Sequence, residues 1–130
     1  YFQQALNELK NFGYITGKRI NFLPVLQRIT KTECWALGHA LHFPFELTVS
    51  CDNPKMVYAG EEGEVPALCP DCGSTKLSII AADRANVADK RHFTTKRPTL
   101  SQPTSVSSIR TIIDRLVLTQ AEKEKLRNMI

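Results

Sequence analysis

Two cysteines separated by two residues, in Cys69-Pro70-Asp71-Cys72-Gly73-Ser74, carry the plainest chemistry in this sequence. Two thiolates at that spacing can grip one divalent ion from a tight turn, with Zn–S near ~2.3 Å. Gly73 lets the backbone turn sharply after the second thiol without a Cβ clash. Two more cysteines, Cys34 and Cys51, lie upstream, and His39, His42 and His92 add imidazole to the pool of ligands. No secretion signal is visible, so a disulfide framework is the weaker use of four cysteines. A redox pair needs its Cys-x-x-Cys at a helix N-terminus, where the dipole lowers the thiol pKa. Here the following residues, Leu77–Ala81, read as a strand, which favours a metal site over redox chemistry.

The elements around the pair are predicted to be strands. Phe45–Ser50 alternates apolar and polar side chains, Met56–Ala59 is a second candidate, Gly60 to Pro66 is an acidic turn, and Leu77–Ala81 is a third candidate. With Cys69-Pro70-Asp71-Cys72-Gly73 at the turn, this segment resembles the second knuckle of a zinc ribbon, a family of small metal-stapled β-hairpin modules. The resemblance spans about residues 45–81. Its first knuckle would be Cys51-Asp52-Asn53-Pro54, where Pro54 stands in place of the family's second cysteine. The resemblance therefore implies zinc held by Cys51, Cys69 and Cys72. A structural zinc site takes four ligands. Cys34 is expected as the fourth on ligand type, with His92, His39 and His42 as alternatives. If residues 43–50 are extended they span ~26 Å, which sets His42 far from Cys51.

No catalytic motif accompanies the thiols. The His-x-Glu of zinc deaminases is missing after His39, and Leu68 stands where their Pro-Cys-x-x-Cys has proline. There is no His-Glu-x-x-His, P-loop, Gly-x-Ser-x-Gly or Gly-x-Gly-x-x-Gly. A cysteine-rich site without a general base reads as structural, so the expectation is a protein that is not an enzyme.

The 130 residues suit one domain, or a small domain with an appendage. Hydrophobic residues make up 42% and charged residues 23%, close to the globular norm. No apolar run approaches the ~18 residues of a membrane span, so a reducing compartment, cytoplasmic or nuclear, is expected. Tyr1-Phe2-Gln3 reads either as natural sequence or as the remnant of a tag. Net charge is +4, unevenly spread: +3 over residues 1–40, −4 over 41–80 and +5 over 81–130.

Upstream, helices are predicted over 2–11, 22–31 and 33–42. From Thr94 to Ser108, ten of fifteen residues are Ser, Thr or Pro, which reads as a linker or extended arm. After it, Ile109, Ile112, Ile113 and Leu116 fall at helical spacing behind Ser108, and Thr119 with Glu122 forms a capping box for a second helix. The predicted class is α+β: short helices (1–42), a central zinc-ribbon-like three-stranded antiparallel unit (43–82), a basic arm (83–108) and a C-terminal helical hairpin (109–130). No Asp or Glu occurs between Lys90 and Ile113. Such a one-signed stretch favours a polyanion. The leading functional expectation is a zinc-stapled nucleic-acid-binding protein, with DNA first, serving as a regulator or a subunit of a transcription, replication or DNA-transfer assembly. Its phosphate contacts would come from Lys18, Arg19, Arg28, Lys31, Lys90, Arg91, Lys96 and Arg97. The alternative is a zinc-stabilised protein-interaction module, with self-association through the C-terminal hairpin.

Overall fold

The computed structural model describes residues 4–5, 7–11, 17 and 23–130. Residues 4, 5 and 7–11 are helical, within the predicted 2–11. The helix predicted over 22–31 does not form across its described part. Residues 25–28 make turns closed by short bonds such as Gln27 N–H to Pro24 O at 3.1 Å.

Helix α1 (Lys31–Ala40) begins instead behind Thr30, whose hydroxyl accepts from Glu33 N–H at 3.1 Å while the Glu33 carboxylate accepts from Thr30 N–H. This reciprocal cap satisfies two donors that a helix start leaves open. Trp35 and Leu37, two residues apart, point to nearly opposite sides of α1, so it is buried on two flanks. Trp35 packs with Ala81, Ala82 and Val87, and Leu37 packs with Ile112, Ile113 and Leu116. Phe45 stacks on Trp35 with ring centroids 3.9 Å apart.

Strands β1 (Lys55–Tyr58) and β2 (Glu64–Ala67) pair antiparallel, from Lys55 opposite Ala67 to Tyr58 opposite Glu64. The turn between them runs through a short 3-10 segment and Gly63, whose φ of 74° and ψ of −143° strain any residue with a Cβ. The sheet has two strands, not the predicted three. Phe45–Leu47 forms a 3-10 turn, and Leu47 is 78% exposed because no partner strand covers it.

The predicted third strand is part of helix α2 (Gly73–Arg84). Of its buried residues, Thr75, Ser78, Ile79 and Ala82 fall at i, i+3, i+4 and i+7, a helical stripe that Ala81 flanks, while Leu77 is 61% exposed. In place of a third strand, Leu68 makes a parallel bridge to Phe93 through Leu68 N–H to His92 O and Thr94 N–H to Leu68 O.

Helices α3 (Ile109–Arg115) and α4 (Gln120–Asn128) form the C-terminal hairpin. Ser108 caps α3, and Thr119 with Glu122 makes the capping box of α4. Ile112 and Ile113 are fully buried, and Arg115 reaches back to Glu33 on α1 at 3.1 Å. Among the described residues no helix is long and apolar enough to cross a membrane.

Candidate metal centre

Three thiols converge where the hairpin meets α2. The β1–β2 register closes a loop whose two ends carry Cys51 and Cys69, and Cys69 N–H donates to Cys51 Sγ at 3.4 Å. The turn Pro70-Asp71 then delivers Cys72 to the N-cap of α2. The ligand atoms of Cys51, Cys69 and Cys72 all lie within 4.8 Å of one another. Cys51 Sγ and Cys72 Sγ are 3.8 Å apart. Two thiolates on one tetrahedral zinc at ~2.3 Å would stand about 3.8 Å apart, so the donor set and its spacing both fit such an ion.

The surroundings favour the thiolate form of Cys72. Its pKa is lowered to about 7, first by the Thr75 hydroxyl, then by the N–H groups of Thr75 and Asp52, with burial opposing and Cys51 assisting. Thr75 Oγ1 lies 3.0 Å from Cys72 Sγ, and Thr75 N–H donates to the same sulfur at 3.4 Å. Asp52 is held in turn, its two carboxylate oxygens each accepting from Ser74 Oγ at 3.1 Å. Thr75 was not singled out from the sequence. Its position three residues after a capping side chain is the signal that finds it.

The sequence argument against a redox pair rests on a strand after Cys72. That argument fails, since Cys72 caps a helix. What favours metal is the third thiol at the pair. Cys34 is not part of the group. It sits half-buried in α1, where Thr30 starts the helix, and burial first, with the Glu33 charge, pushes its pKa up despite Lys31. His39 and His42 are exposed, and His92 Nε2 pairs with Glu62 at 3.0 Å.

The cations proposed for phosphate divide into three sets. Arg91 and Arg97 are engaged internally. Arg91 grips Asp89 through Nε at 2.8 Å and Nη2 at 2.7 Å, donates to Ser50 Oγ, and lies 4.9 Å from the Trp35 ring centroid. Arg97 bonds Asp89 at 3.0 Å and Asp83 at 2.9 Å. Arg28, Lys31, Lys90 and Lys96 are exposed. Lys18 and Arg19 lie outside the described residues.

The protein family described as "Queuosine biosynthesis protein QueC" matches residues 1–81, more than half of the chain. The chain belongs to the QueC family. The match includes all three clustered thiols and ends within α2. It overturns the expectation of a protein that is not an enzyme, because QueC points to an enzyme family of queuosine biosynthesis. Missing motifs were a poor guide, since they cover only a few well-marked chemistries. The zinc-ribbon likeness is also corrected: in this QueC-family chain the Cys-x-x-Cys opens a helix instead of closing a β-hairpin. Neither the curated proteins nor the solved structures contain a match to the chain.

Proposed function

We propose that this chain is the metal-stapled part of a queuosine-biosynthesis enzyme of the QueC family, with zinc bound by Cys51, Cys69 and Cys72. One observation carries this reading: three thiols, from the foot of a hairpin and the cap of a helix, lie within 4.8 Å of one another inside the family match. The zinc is structural in this reading. It ties the hairpin to α2, and the N–H groups of Cys69, Asp52 and Thr75 steady the sulfurs that hold it. Queuosine biosynthesis comes from the family rather than from this site, and residues 82–130 lie beyond the family match. Direct nucleic-acid binding is not part of the proposal, because Arg91 and Arg97 already face carboxylates.

Elemental analysis of the purified chain tests the staple. One zinc per chain is expected, lost in Cys69→Ser. Amide exchange in residues 55–67 should then accelerate when a strong chelator is added. A metal-free protein whose hairpin exchange ignores the chelator would overturn the reading.

A further inference from the structure

A closed zinc site has four protein ligands, whereas three protein ligands leave a position for solvent or another donor. Every Cys, His, Asp and Glu of this chain lies among the described residues, and the group that forms contains three of them. Other candidate ligands are engaged elsewhere. The Asp52 carboxylate accepts from Ser74, the His92 ring meets Glu62, and Cys34 stays in α1. Thr75 is fully buried beside Cys72, but its hydroxyl does not act as the missing ligand. Its 3.0 Å approach to Cys72 Sγ is a hydrogen-bond distance. An oxygen and a sulfur sharing one tetrahedral zinc would be about 3.6 Å apart.

Resting on the three-thiolate reading above, we propose that the metal of this chain keeps an open fourth position, held by water and exchangeable for a small neutral nitrogen donor of the imidazole class. Charge selects the neutral class. Three thiolates already overbalance a divalent ion, and Asp52 and Asp71 flank the thiols in sequence, so a free anion from solution is disfavoured, whereas a thiolate tethered at residue 75 would be held beside the ion by the chain. Thr75 borders the site. A thiol at this residue would stand close enough to Cys72 to complete a four-sulfur shell.

Cobalt(II) replaces zinc and makes the shell visible. The full chain is titrated with cobalt, and imidazole is then added. The visible bands should shift and saturate at one imidazole per metal. Thr75→Cys should raise the thiolate-to-cobalt charge-transfer intensity by about one third, from three sulfurs to four, and abolish the imidazole response. Cys34→Ser keeps the test decisive should Thr75→Cys not fold: its intensity and imidazole response should equal those of the parent chain. A bound cobalt that ignores imidazole, or a Cys34→Ser variant with weaker charge transfer, would overturn the open position and leave the metal site standing. A chain that binds no cobalt would overturn the three-thiolate reading and the open position with it.

Discussion

Replacing Asp89 with asparagine tests whether the second polar cluster of this protein is a structural lock. The side chains of Asp89 and Arg91 are each about 1% exposed, and the carboxylate also receives Arg97. Removing one partner of a buried ion pair costs about 3–5 kcal/mol, because the other charge is left without compensation. Asparagine keeps one oxygen acceptor, and Arg97 retains Asp83, so the lower end, about 3 kcal/mol, is expected for Asp89→Asn. For a chain of this size that corresponds to a melting temperature lower by roughly 12 °C near neutral pH. The pH dependence adds a second check. Burial raises the Asp89 pKa, but the hydrogen bonds and charge of Arg91, with the Arg97 bond, outweigh it and leave the value lowered. A carboxylate whose pKa falls on folding stabilises the protein above its unfolded value of ~3.9 and loses that contribution as pH drops through the folded value. The gap between parent and variant should therefore be full at neutral pH and narrow below ~3.9. Thermal melts of both proteins, compared at each pH, cancel any shared loss of metal in acid. A variant within about 2 °C of the parent at neutral pH, or a gap indifferent to acid, would refute the lock.

Two further outcomes follow from particular contacts. Gly38→Ala should lower stability by about 1–2 kcal/mol, although alanine is the better helix former, because the new Cβ would collide with the Phe45 ring stacked on Trp35; a raised melting temperature would show that the ring moves aside freely. In the metal-free chain near neutral pH, iodoacetamide should label Cys72 ahead of Cys34, and adding zinc should reverse that order in the mass spectrum. Equal labelling with and without zinc would contradict the thiolate cluster.

The C-terminal hairpin was legible because its two signals are local. Ile109, Ile112, Ile113 and Leu116 make an apolar stripe, and the Thr119–Glu122 cap forms as spaced. The cysteine trio was legible too, Cys69 and Cys72 through their two-residue spacing and Cys51 through the resemblance to a zinc-ribbon knuckle. The helix after it was not. Its buried stripe mixes hydroxyls with aliphatics, so counting apolar residues alone picks out Leu77, Ile79, Ile80, Ala81 and Ala82, a short run that reads equally as a buried strand. Only when the buried Thr75 and Ser78 are counted does the helical period appear. Strand β2 was read as a turn because of Glu64 and Pro66, yet a strand at the edge of a two-stranded sheet tolerates a proline. Arg91 read as a surface cation because charge runs say nothing of partners. Its neighbours Trp35 and Ser50 come from distant sequence.

These corrections change what a metal at the three thiols would do. Had Leu77–Ala81 been a strand, the hairpin would have held a third ladder and some core of its own. As folded, β1 and β2 bury little beyond Ala67, with Met56 and Tyr58 largely exposed. A two-stranded hairpin with so small a core is marginal in water. The helices do not share this weakness, since Trp35 and Leu37 anchor α1 to α2 and α3. The residues between α1 and the hairpin are held to α2 twice over, Ser50 to Ser78 at 2.9 Å and Cys51 through the thiol cluster. The far end of α2 is gripped by Arg97 on Asp83. A metal held by the three thiols would therefore act on the part with the least core, while the ion-pair cluster and the helices hold the rest. Loss of metal should open the hairpin locally before the helical core unfolds, which is how a protein with uneven stability responds.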